Sequence, residues 1–155
     1  MSSTAMTTEE KQQFLSEPHV GVLSIPRLDA GPLTVPVWYD YEPGGELWFL
    51  TGRESRKGRL LEVGTRVSLC AQTETAPYQY VSVEGPVTAL DEESDELLPA
   101  ERGSAGRKQC LRTMAVRYLG EVQGKAYAEH SAESDSVVVR IAPERWLAVD
   151  YRKLL

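Results

Sequence analysis

Apolar residues recur with strand spacing along most of this chain and with helical spacing in four short stretches. Thr7 or Thr8 can cap a helix over Glu9 to Leu15, with acids in its first turn and Pro18 ending it. From there the pattern changes to period two. Val20 to Ile25 is an aliphatic, β-branched run closed by Pro26, and Leu28 to Pro32, which includes Asp29 and Gly31, reads as a hairpin turn. Val35, Val37, Tyr39 and Tyr41 alternate with Pro36, Trp38 and Asp40, which predicts one second strand. Pro43-Gly44-Gly45 turns the chain back into Glu46 to Thr51, a third strand paired onto the second. Two more strands follow, Arg66 to Gln72 and a long one from Tyr78 to Leu90. The long strand contains Gly85-Pro86, which demands a bulge, a bend or an edge position.

After this strand the pattern turns helical. Asp91 to Gly106, acidic and then Gly/Ser-bearing, reads as a surface loop with one helical turn. Arg107 to Gly120 and Gly120 to His130 read as helices. Val137, Val138 and Val139 lie in an unbroken β-branched run, Ser136 to Ile141, expected of a buried strand, and Trp146 to Tyr151 closes the fold. About seven strands in hairpin-like succession, with helices inserted after the third and fifth, predict a mainly β (α+β) antiparallel barrel and not a βαβ array. A length of 155 residues with 41% hydrophobic content suits one domain, residues 1–155, whose first 14 residues form an arm and helix.

Charge changes the picture at one place. The chain carries 17 Lys+Arg against 23 Asp+Glu, a formal net charge of -6. Between Arg53 and Arg66, however, stand five bases (Arg53, Arg56, Lys57, Arg59, Arg66) and only the acids Glu54 and Glu62. An island of cations on an acidic protein argues against general nucleic-acid binding, which recruits a broad basic surface, and suits a small anionic ligand. Ser55 is placed to cap a short helix carrying Leu60, Leu61 and Val63, and Gly64 to end it in a left-handed conformation. Arg56, Lys57 and Arg59 then fall at the positive end of the macrodipole, an arrangement that suits a bound phosphate.

Other chemistries are poorly supplied. His19 and His130 stand beside no Ser/Asp or Cys partner, and no His, Cys and carboxylate set has metal-ligand spacing. The two cysteines, Cys70 and Cys110, read as free thiols. No secretory signal or bilayer-length apolar run is seen, so a cytoplasmic protein acting on a small molecule, without membrane or nucleic-acid partners, is expected.

Several segments carry a family resemblance: Val20-Gly-Val-Leu-Ser, Pro36-Val-Trp-Tyr, Leu47-Trp-Phe-Leu-Thr-Gly, Ser55-Arg-Lys-Gly-Arg-Leu-Leu, Val67-Ser-Leu and Tyr80-Val-Ser-Val-Glu-Gly. In this order they resemble the pyridoxamine 5'-phosphate oxidase-like split β-barrel family, FMN-binding in type, and within it the actinobacterial flavin/deazaflavin-dependent oxidoreductases. The match runs from about Leu15 to Leu90 and, more loosely, through the last two strands. The resemblance implies a homodimer with coenzyme F420, or alternatively FMN, at the subunit interface. It implies basic contacts to the cofactor phosphate from Arg56, Lys57 and Arg59, and hydroxyl contacts from Ser55 or Thr51. Val37, Trp38, Tyr39, Leu50 and Thr51 would flank the ring, and Tyr78 and Tyr80 would approach from the partner. Counterparts of the pyridoxal-phosphate contacts near the namesake's C-terminus are not recognisable, so vitamin B6 oxidation is not expected. The cofactor performs the redox step in such proteins, and no catalytic side chain is implied. The expected activity is hydride transfer from reduced F420 to a small organic acceptor; the alternatives are an FMN-dependent oxidoreductase of the same fold and a non-catalytic flavin- or haem-binding module.

Overall fold

A computed structural model describes residues 3–90, 103–131 and 136–155. The part of the expected loop that lies at 91–102 is outside the described residues. Helix α1, Thr8–Ser16, begins on a capping box: the Thr7 side chain accepts from the Glu10 amide, and the Glu10 carboxylate accepts from the Thr7 amide. The strands are β1 (Gly21–Ile25), β2 (Leu33–Val37), β3 (Asp40–Tyr41), β4 (Leu47–Gly52), β5 (Arg66–Gln72), β6 (Gln79–Ala89), β7 (Ser136–Ile141) and β8 (Arg145–Asp150). Between them lie α2 (Arg56–Leu60), α3 (Gly103–Leu119) and α4 (Glu121–His130).

All pairings are antiparallel, in the order β2-β1-β5-β6-β7-β4-β3, with β8 also on β6. The result is a curled half-barrel in which β6 belongs to two sheets: its first half pairs with β8 (Gln79↔Asp150 to Glu84↔Arg145), and its end pairs with β7 (Val87↔Ile141). The change of partner falls at Gly85-Pro86. A Cβ on Gly85 would stand 1.7 Å from the Ala142 carbonyl oxygen, so only glycine lets the two backbones meet there. Inward residues of both sheets, among them Leu23, Ile25, Leu47, Phe49, Leu69, Val81, Val87 and Val139, form one core with Phe14 and Leu15 of α1. Period-two burial along β4, β5 and β6 follows the alternation of their sequences.

Two expectations are corrected. The single second strand is two: β2 pairs with β1, whereas β3 pairs with β4, and the chain changes sheets at Trp38-Tyr39. That raises the count to eight strands among the described residues, and the helices follow β4 and β6. The helix after Ser55 is one turn long and does not reach Gly64; Leu61 leaves it in extended conformation and enters the core, 4% exposed. Gly64, at φ +96°, serves the turn into β5.

Candidate functional site

A cleft of about 480 Å³ opens where the chain changes sheets. Val20, Pro36, Val37, Trp38 and Leu50 come from the strand side, Lys57 from α2, Leu111 and Met114 from α3, and Tyr127 from α4. Among the described residues Lys57 is the single charged side chain in that lining. The lining is thus an apolar and aromatic slot with one cation, the composition expected of a site for a flat ring with an anionic group.

Three rings build the aromatic wall. Trp38 stacks flush on Tyr118 of α3, with centroids 5.1 Å apart and planes 5° off parallel, and meets Tyr127 at a tilt, 5.5 Å and 54°. Behind them α3 holds the sheet change in place. The Tyr118 hydroxyl accepts from the Tyr39 amide (3.1 Å) and reaches the carbonyl oxygens of His19 (2.6 Å) and Tyr39 (3.0 Å). Arg117 donates to the carbonyls of Tyr39, Ser16 and Glu17 at 2.9, 2.9 and 3.0 Å, with Asp40 at 3.3 Å. Burial raises the Tyr118 phenol above its ordinary pKa, so the ring stays neutral and its proton remains in these bonds.

Helix α2 is fixed by its cap. Ser55 Oγ donates to the Gly52 carbonyl (2.7 Å) and accepts from the Gly58 amide (3.0 Å); since its one proton is already used, the 2.9 Å contact with Thr51 must be donated by Thr51. Both hydroxyl protons therefore hold the turn. Gly58 lies directly on the end of β4, where a Cβ would stand 2.1 Å from the Gly52 carbonyl oxygen.

The cation island does not converge. Residues two apart on a helix point about 200° apart. Lys57 faces the cleft, whereas Arg59 lines a separate depression of about 330 Å³ with Arg53, Glu62, Leu61, Leu90 and Val137. Arg56 is exposed, and Arg66 pairs with Glu144 at 2.7 Å on the outer face of the sheet. One turn of helix also accumulates little dipole, so the positive helix end expected beside these cations is weak.

The remaining expected contacts divide in the same way. Val37, Trp38 and Leu50 line the cleft. Tyr39, fully buried, points into the core and donates its hydroxyl to the Leu15 carbonyl at 2.8 Å; Thr51 is 6% exposed. Tyr78, 50% exposed, and Tyr80 stand at the start of β6, three strands from β2, and so lie outside their own chain's cleft. Sequence reasoning missed Val20, Pro36, Leu111, Met114 and Tyr127. Helical periodicity found α3 and α4, but nothing local says which strand edge they cover. Among the described residues no group of His, Cys, Asp and Glu could hold a metal, and no helix is long and apolar enough to cross a membrane.

Comparison with known proteins agrees with this architecture. The sequence profile of the pyridoxamine 5'-phosphate oxidase family matches residues 7–150. Among curated proteins no sequence match was found. A conserved hypothetical protein from Mycobacterium tuberculosis superposes with a TM-score of 0.70 at 25% identity, covering 98% of this chain and 90% of that one. A protein named F420 reductase gives 0.64 at 19% identity, with 88% and 94% covered. An FAD and haem binding protein from Mycobacterium smegmatis gives 0.63 at 14%, with 96% and 72% covered. With 7–150 matched and the split-barrel fold shared, the chain belongs to the pyridoxamine 5'-phosphate oxidase family.

Proposed function

We propose that the cleft holds the ring system of a phosphate-bearing redox cofactor, F420 by preference and FMN as the second reading, and that the protein transfers a hydride between it and a small organic acceptor. The observation that carries this reading is Lys57, the one charge among the described residues of a slot otherwise walled by Trp38, Tyr127, Leu111 and Met114. When bound, the cofactor supplies the redox chemistry, and the chain has three tasks. Lys57 anchors the phosphate, Trp38 and Tyr127 flank the ring, and the apolar residues exclude water. The preference for F420 is supported by the structural neighbour of that name.

The reading includes a homodimer. Pro36, Val22, Cys70, Ser82 and Leu147 form one row across five strands on the outer face of the sheet. Val22 is 38% exposed and Leu147 58%, and Val20 beside them is 54% exposed. An apolar row of this kind suits a two-fold contact with a second copy, which would bring the partner's aromatic strand start toward the cleft.

Purification from a host that makes F420, followed by absorption and fluorescence spectra, distinguishes bound F420, FMN and haem. Retention or micromolar binding of F420 or FMN supports the reading; binding of neither overturns it. Reversing charge with Arg56→Glu and Lys57→Glu should abolish cofactor retention, and unchanged affinity would overturn the phosphate assignment. Light scattering of the eluted protein at monomer mass would remove the dimer.

A further inference from the structure

The plane of Trp38 is set by a residue outside the cleft. Trp38 sits in the two-residue break between β2 and β3, where neither sheet supplies ladder partners. In their place the Tyr118 hydroxyl takes the Tyr39 amide as donor and reaches the Tyr39 and His19 carbonyls, so the backbone of the break at Tyr39 and the segment entering β1 are bound to one α3 side chain. The same side chain lays its ring flat against the indole, 5° from parallel. Backbone and ring are thus fixed together. We infer that Tyr118 is a positioning residue: it sets the plane of Trp38 and, through it, the orientation of the cofactor ring in the cleft. This inference rests on the cofactor reading above.

Orientation matters in such a site because hydride transfer depends on reacting atoms held within about 3–3.5 Å and aligned. Among the described residues the lining offers Lys57 as its only charge and no carboxylate to steer the ring, so flat aromatic contact supplies the orientation. Trp38 is the largest ring in that lining, and a free Trp38 would lose the fixed plane against which the cofactor ring stacks.

The test is a double-mutant cycle on the full chain with FMN as titrant, or F420 if wild type retains it. Trp38→Leu and Tyr118→Leu should each weaken binding about fivefold, the size expected for one aromatic contact. The double variant should be no weaker than either single one, because both remove the same oriented wall. Multiplying effects would mean that Tyr118 acts on the fold alone, and would overturn the inference. Tyr118→Phe, which keeps the ring and loses the hydroxyl bonds to Tyr39 and His19, should fall between wild type and Tyr118→Leu. Near-ultraviolet circular dichroism of cofactor-free protein gives an independent readout: Trp38→Leu and Tyr118→Leu should remove the same band, and a Tyr118→Leu spectrum like wild type would also overturn it. If wild type binds neither FMN nor F420, the cofactor reading fails and the ring-orienting role fails with it, while the dichroism still decides whether Tyr118 holds Trp38.

Discussion

Two of the places where the chain passes from one sheet to the other do so by different means. At Gly85-Pro86, β6 stays continuous from Gln79 to Ala89 and exchanges β8 for β7. The exchange is made by backbone alone: the missing side chain of Gly85 admits the Ala142 carbonyl, and the Pro86 carbonyl accepts from the Ala142 amide at 3.1 Å. At Trp38-Tyr39 the strand breaks, and the polar groups it leaves are met by Arg117 and Tyr118, 78 and 79 residues away from Tyr39 in sequence. A switch made by absence of a side chain is closed on itself and rigid. One made by distant side chains ties a loop, a helix and the end of α1 together, and the cleft lies there.

Breaking the first switch should cost the most. A Gly85→Ala methyl has to displace the Ala142 backbone, so at least about 3 kcal/mol of stability should be lost, at the top of the range for overpacking. Urea unfolding at 25 °C measures it. A loss under about 1 kcal/mol would mean that β6 and the 142–144 turn can part without harm.

The second switch should lose less but respond more broadly. Arg117→Ala removes three charged hydrogen bonds and leaves the carbonyls of Tyr39, Ser16 and Glu17 short of a donor, which predicts a loss of about 2–3 kcal/mol. Arg117→Lys should recover only part, because an ammonium cannot reproduce the planar fork. Weakened cofactor binding should accompany the loss at Arg117, whereas a mild Gly85 variant that still folds should bind normally. Equal effects of both on binding would erase the distinction between the two switches.

Next in size is Lys57→Ala, which should weaken FMN or F420 binding about tenfold, as expected for one charge-assisted contact. Arg59→Ala, on the far side of α2, should change it less than about twofold, and both should stay within about 0.5 kcal/mol of wild-type stability. Isothermal titration with unfolding controls compares them. Equal losses at the two positions would mean that the cations act as the single cluster the sequence suggested.

The same contrast explains what could be read in advance. Gly85-Pro86 announces its bend because the two residues forbid an ordinary strand whatever surrounds them. The Ser55 cap is equally local, and its bond to the Gly58 amide forms as expected. Trp38-Tyr39 gives no such sign: Val35 to Tyr41 alternates without fault, and only the donors on α3 show why it breaks. Helix length misled in the same way, since Leu60, Leu61 and Val63 fit a helical stripe until the core claims Leu61. Once the helix is a single turn, adjacency in sequence stops meaning adjacency in space for Lys57 and Arg59. The split-barrel resemblance, by contrast, needed only the order of strands and survives in the fold.

The smallest effect expected at the second switch is one of pH. His19 lends its carbonyl to Tyr118, stacks its ring on Phe14 at 4.2 Å, and keeps Nε2 buried with no hydrogen-bond partner among the described residues. Burial lowers its pKa below the ordinary 6.5 and Arg117 adds to this, while Glu17 and the Phe14 carbonyl oppose it. Below about pH 6.5 the unfolded chain therefore takes up a proton that the folded one resists, so stability falls on acidification through this range and rises with pH across it. The carboxyls of Asp150 and Glu10, held low chiefly by Arg152 and Lys153, withdraw their stabilisation only further down, as pH falls below their ordinary values of 3.8 and 4.5. The interval from pH 7 to 5.5 thus isolates the imidazole. His19→Leu keeps an apolar contact for Phe14 and leaves the backbone carbonyl for Tyr118. Its urea midpoint should change less between pH 7 and 5.5 than that of wild type. An unchanged slope would mean that the ring is hydrated in solution and that the second switch has no titrating member.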